Sequence, residues 1–150
     1  MAVSDGVYQI NDLMGLLCIE YPRPGSPVLI APPGTTSTEP IWKIENQKDG
    51  TVLIRAAIDD DDFELYLGYP YQPERGNPVL ITPEPSPWEL RPGLDADHVV
   101  IAVPAAVTPG VKEGLVIDLS PIRLYPPRTA LWTYYRENDA QSWYLKSVNG

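Results

Sequence analysis

Pro27-Val28-Leu29-Ile30 returns unchanged as Pro78-Val79-Leu80-Ile81, and loosely a third time as Pro121-Ile122-Arg123-Leu124. Each copy is followed by a tryptophan, Trp42, Trp88 and Trp132, and each tryptophan by a further apolar run, VLIR from Val52, VVIA from Val99 and WYLK from Trp143. The tryptophans are 46 and 44 residues apart (88 − 42 and 132 − 88), which leaves room for about four short strands in each unit. That is too many for one rung of a solenoid, and three units are too few for a propeller, which takes about four to eight blades. A barrel built from three similar lobes is the expectation.

Elsewhere the apolar residues fall into short runs as well, thirteen in all: VYQI, LLCIEY, PVLIAP, IWKIE, TVLIRAAI, FELYLGY, PVLITP, WEL, HVVIAV, LVIDL, IRLY, LWTYY and SWYLKSV. They are rich in Val, Ile, Leu, Tyr and Trp and are bounded by PRPG, PPGT, KDG, PERGNP, RPG and TPG, which are turn compositions. No stretch long enough for a stable helix both avoids Pro and Gly and keeps a 3.6-residue period, so almost no helix is expected. Three lobes of about four strands make about twelve, one fewer than the runs available. VYQI at the start and SWYLKSV at the end both align with the first strand of a lobe, and one of the two is expected to be extra.

A chain of 150 residues with 43% hydrophobic content suits one domain spanning residues 1–150, with no membrane-spanning run. Its net charge of −9 repels nucleic acid and anionic membrane surfaces and points to a protein or neutral ligand. Cys18 is the single cysteine, in the apolar run Leu16-Leu17-Cys18-Ile19, so an inert, buried thiol and no internal disulfide are expected. The opening MAVSDGVYQI has no basic segment followed by an apolar one, and a cytoplasmic location is expected. The 18 prolines are scattered among apolar runs and punctuate loops, which is unlike a disordered tract.

The chain resembles the fungal β-trefoil protease inhibitors, the cospin-type serine protease inhibitors related to mycocypins. Asp5-Gly6-Val7-Tyr8-Gln9-Ile10, the three Trp-centred repeats, the Pro-rich turns and the disulfide-free acidic composition carry the resemblance. It implies an all-β trefoil of three pseudo-repeated lobes, acting as a monomeric inhibitor of trypsin-like serine proteases without catalysis of its own. In the cospin type the reactive residue lies between the second and third strands of the first lobe, which here is the segment around Arg23. Mycocypins block papain-like cysteine proteases with two first-lobe loops, matched here by Asn11 to Gly15 and Ala31 to Pro40. The asparagine loop some of them use against legumain falls at Asp59 to Asp62, so that activity is not expected. β-Trefoil lectins share the architecture and remain the alternative. Their ricin-type Gln-x-Trp signature is expected to be absent, because Trp42 follows Pro40-Ile41, Trp88 follows Ser86-Pro87 and Trp132 follows Ala130-Leu131.

Catalytic chemistry lacks its parts. His98 is the one histidine, no hydrolase, nucleotide or metalloprotease motif is present, and one His with one Cys cannot assemble a zinc site. No metal or cofactor is expected. Asp59 to Asp62 does not have the spacing of a calcium loop and reads as a solvated hairpin tip. Tyr66, Tyr69, Tyr71, Tyr125, Tyr134, Tyr135 and Tyr144 are expected to alternate between core and surface, and Trp42, Trp88 and Trp132 to fill the core about a pseudo-threefold axis. Three loops present an arginine among prolines: Arg23, Arg75 and Arg128. Proline fixes φ and stiffens a loop, which lowers the cost of ordering it in a protease cleft, and arginine suits the acidic pocket of a trypsin-like enzyme. Pro24 after Arg23 opposes substrate-like docking there, Arg128-Thr129 is the better substrate sequence, and Arg75-Gly76 is intermediate.

Overall fold

Short apolar runs between proline and glycine turns become twelve strands in the computed structural model, which describes residues 3–19, 21, 23–32, 40–57, 64–122 and 126–148. The first lobe holds β1 (Gly6–Asn11), β2 (Leu16–Ile19), β3 (Val28–Ala31) and β4 (Trp42–Asn46). The second holds β5 (Val52–Ala56), β6 (Tyr66–Gly68), β7 (Leu80–Thr82) and β8 (Glu89–Pro92). The third holds β9 (His98–Ala102), β10 (Leu115–Leu119), β11 (Thr129–Thr133) and β12 (Trp143–Ser147). One 3₁₀ turn, Asp139–Gln141, is the only helical element among the described residues.

Six of these strands close on themselves. β1 pairs with β4, β4 with β5, β5 meets β8 through the Val52–Trp88 bridge, β8 pairs with β9, β9 with β12, and β12 returns to β1. Closure leaves no open sheet edge in the barrel wall. Along β5 the side chains alternate, with Val52, Ile54 and Ala56 buried and Leu53 and Arg55 facing out, as a two-residue period requires.

The other six strands form three hairpins, β2–β3, β6–β7 and β10–β11, which meet about the pseudo-threefold axis. Their contacts make a ring. Ile81 N donates to Ser26 O, Leu131 N to Asn77 O, and Ile30 N to Pro127 O, at 2.9, 2.8 and 2.8 Å. A second set is incomplete: Gly25 N donates to Ile81 O and Gly76 N to Leu131 O, but the third equivalent is Pro126, which has no N–H. Gly25 and Gly76 hold φ near +86° and +92°, a conformation that favours glycine. Thr129 Oγ1 adds a buried bond of its own to Val28 O at 2.8 Å.

Three tryptophans fasten the hairpins to the barrel. Trp42, Trp88 and Trp143 are fully buried on β4, beside β8 and on β12. Their indole N–H groups donate to Leu17 O on β2, Leu67 O on β6 and Ile117 O on β10, at 2.9, 2.8 and 3.3 Å. A buried indole needs such an acceptor, since a buried donor without one costs about 1–3 kcal/mol.

These contacts correct the expected third lobe in three places. Its core tryptophan is Trp143. Trp132 follows the inward-facing Leu131 on β11, so it points outward and is only half-buried. The third counterpart of Val28-Leu29-Ile30 is Thr129-Ala130-Leu131; the IRLY run falls inside the connection from β10 to β11, where Ile122 is exposed. Residues 123–125 of that run lie outside the described set. Both terminal runs are true strands, β1 and β12, and they pair with each other from Tyr8–Ser147 to Asn11–Tyr144, so neither is surplus.

Candidate functional site

Moving the third lobe's frame to Trp143 changes what precedes its core tryptophan. Gln141-Ser142-Trp143 carries the Gln-x-Trp pattern that the Trp132 frame had excluded. Gln141 is fully buried. Its Nε2 donates to Asp118 Oδ2 at 3.0 Å and to Thr133 O at 2.9 Å, while its Oε1 accepts from Tyr135 N at 2.8 Å. Asp118, on β10, also accepts from Leu119 N and from Asn138 Nδ2 at 3.3 Å. Three donors converge on this buried carboxylate, which is how a carboxylate is accommodated in a core. The same network fixes the 3₁₀ turn, whose cap Asn138 accepts from Ala140 N.

Outside this network is a hollow of about 420 Å³, lined among others by Tyr134, Asn138, Ser142, Arg136 and Arg91. Ser142 Oγ accepts from Leu94 N at 3.2 Å and so separates this hollow from a larger one.

The larger one is a groove of about 570 Å³ on the barrel wall. Strand register makes its floor: Asn11 of β1, Tyr144 of β12 and His98 of β9 form one row across three neighbouring strands, with Gln9 and Lys146 in the parallel row. Turns make its walls. The β1–β2 turn contributes Asp12 and Leu13, the β8–β9 turn Leu94, Asp95 and Asp97, and the 3₁₀ turn Asp139. Tyr144 and His98 rings lie 5.8 Å apart, and His98 Nδ1 is 2.9 Å from Asp97 Oδ1. Asn11 Nδ2 is buried and has no hydrogen-bond partner among the described residues. Burial pushes the Asp12 carboxyl above its usual range; the N–H groups of Met14 and Gly15 oppose this, and the Asp118 and Asp139 charges add to it.

All three candidate arginines lie on hairpin connections of one type, β2–β3, β6–β7 and β10–β11. Arg23 is exposed, with its guanidinium 5.1 Å from the centre of the Tyr21 ring. Arg75 lies at the same distance over Trp132. Arg128 is half-buried and bridges Leu29 in the hairpin ring, its carbonyl accepting from Ser120 N at 2.7 Å. Cys18 is buried, and burial pushes its thiol pKa up, as for an inert packing residue. Asp59 to Asp62, Tyr125 and most of the Ala31 to Pro40 loop lie outside the described residues.

No protein-family model matches the chain, and no curated protein does. Solved structures do. The chain is similar to a ricin B-like lectin from Macrolepiota procera in complex with lactose, at 19% identity and a TM-score of 0.74, over 99% of this chain and 100% of that one. It is similar to the Rhizoctonia solani agglutinin at 12% identity and a TM-score of 0.75, over 99% of each chain. A designed threefold-symmetric protein, ThreeFoil, matches at 16% identity and a TM-score of 0.74, over 96% of this chain and 100% of that one. The protein is therefore an all-β trefoil.

Proposed function

We propose that this protein is a carbohydrate-binding lectin, without catalysis of its own, whose sugar site is the third-lobe hollow. The observation that carries this is Gln141-Ser142-Trp143, in which the glutamine is buried and bonded to Asp118. Two full-length structural neighbours named as a lectin and an agglutinin support it. Sugar sites combine an aromatic face with a few fixed polar groups. Tyr134 supplies the face, and Asn138, held by Asp118 and the 3₁₀ turn, supplies an oriented amide. The first and second lobes carry Pro40-Ile41 and Ser86-Pro87 before their tryptophans, so one site per chain is expected. A glycan array should identify ligands, and Tyr134→Ala and Asn138→Ala should each abolish their binding in a protein that still folds, Asn138→Ala costing about 1 kcal/mol because Asp118 loses a donor and the 3₁₀ turn its cap. An array without hits, or binding indifferent to both changes, would overturn the assignment.

Trypsin inhibition is the second reading, and Arg23 is the observation in its favour. Its side chain is exposed, and the turn beneath is pinned by Gly25 N to Ile81 O at 2.7 Å and Ser26 N to Arg23 O at 3.2 Å. Arg75 is exposed and stacked in the same way, on Trp132, whereas Arg128 is half-buried and tied into the hairpin ring. Comparing trypsin inhibition by the parent with that by Arg23→Ala, Arg75→Ala and Arg128→Ala decides it: no inhibition by the parent removes this function.

A further inference from the structure

We propose that the groove over β1, β12 and β9 is a second binding site, adjoining but separate from the third-lobe hollow, and that it takes a linear oligosaccharide of amino sugars whose amines are free and protonated. Three features of the groove specify that chemistry. First, its charge is unbalanced: Asp12, Asp95, Asp97 and Asp139 face Lys146 and His98, so a cation is attracted and an anion is not. Second, the Tyr144 ring is 38% exposed in the middle of the floor, between Asn11 and His98, and a ring face of this kind packs against the apolar face of a sugar. Third, Asn11 lies beside Tyr144 in the same row of the floor and is partly exposed to the groove, so its amide is placed to hydrogen-bond a sugar hydroxyl.

Shape argues for a chain of residues over a lone monosaccharide. A neighbouring hollow of about 370 Å³ shares Asp97 and Tyr144 with the groove and continues past them toward Ser4 and Tyr8. A ligand running through both would pass over Tyr144 with an amine beside Asp97. Acetylating that amine would remove its charge and add bulk, so the free amine is the recognised group.

Titration calorimetry with a tetramer of β-1,4-linked glucosamine tests this, with its fully N-acetylated form and tetralysine as comparisons. The glucosamine tetramer should bind, more weakly at high salt, and at least about tenfold more tightly than either comparison. Tyr144→Ala and Asp97→Asn should each weaken it about tenfold, at an unchanged melting temperature. Tyr134→Ala, which removes the aromatic face of the third-lobe site and lies outside the groove, should leave it unchanged, so failure of the lectin assignment and failure of this one can be told apart. Equal binding of the N-acetylated tetramer would refute recognition of the amine, and equal binding of tetralysine would refute recognition of the sugar. No binding of the glucosamine tetramer, or binding untouched by both groove variants, would refute the site.

Discussion

Two junctions of the barrel wall, β4–β5 and β12–β1, are related by the pseudo-threefold axis and have been used in opposite ways. In each, the residue after a buried tryptophan faces outward and pairs with the neighbouring strand: Lys43 with Arg55, and Tyr144 with Asn11. At β4–β5 the surface is closed by ion pairs, Arg55 lying 3.1 Å from both Glu45 and Glu64. At β12–β1 the equivalent position is aromatic, its partner is an amide, and carboxylates on three turns surround them. The tryptophan beneath is the same in both. Because the indole and its carbonyl acceptor hold the wall from inside, the outer face is free to be spent on solvation in one lobe and on a groove in another.

The comparison breaks most visibly at the tryptophans. Trp143→Ala should cost about 3–5 kcal/mol in urea unfolding, as should Trp88→Ala, whereas Trp132→Ala, outward and half-buried, should cost far less. Equal losses at 132 and 143 would restore Trp132 to the core. Next in size is Gln141→Leu, which strips a donor from buried Asp118 and an acceptor from Tyr135 N. It should cost about 1–3 kcal/mol and abolish glycan binding, whereas the second lobe has Ser86 at the same place before its tryptophan and no glutamine there to lose. Arg55→Ala probes the closed junction directly. Its ion pairs are partly solvated, so about 1 kcal/mol or less is expected, with no gain of glucosamine binding, because charge removal alone does not supply Tyr144 and Asn11.

A last difference separates the lobes by pH. Ile19, Tyr69 and Leu119 occupy equivalent half-buried places against the core, and Tyr69 alone ionises. Burial pushes its pKa up to about 12, and its hydroxyl donates to Pro87 O at 2.6 Å, with the ring edge-on to Trp88 at 4.9 Å. A folded pKa above the unfolded one, about 10, means the stability contributed by Tyr69 is intact below pH 10 and is lost as pH rises toward 12. Ultraviolet titration should show a late tyrosine component that disappears in Tyr69→Phe.

Strand content, the three-lobed plan and two of the three core tryptophans were legible in the sequence, because PVLI is repeated letter for letter and turns are marked by Pro and Gly. The third lobe was not, for a physical reason. At the hairpin ring position a valine can give way to Thr129, since the hydroxyl finds Val28 O, and the identity of the repeat is lost while its geometry survives. Spacing misled as well: the evenly spaced Leu17, Leu67 and Ile117 mark the lobes, whereas the tryptophans follow connections of unequal length. Gln141-Ser142-Trp143 was in plain view once that framing is set aside. The groove was invisible, since its floor is a register of three strands distant in sequence.

One seam in the wall differs from the others. β5 and β8 touch through the single Val52–Trp88 bridge, a reciprocal pair of hydrogen bonds of 2.8 and 2.9 Å, where β1–β4 and β9–β12 hold longer registers. Among the described residues these two are the only backbone hydrogen bonds that join the strands there. Amide exchange at Val52 should therefore proceed by a local opening of lower free energy than global unfolding, wetting Trp88 briefly while the other two lobes stay shut.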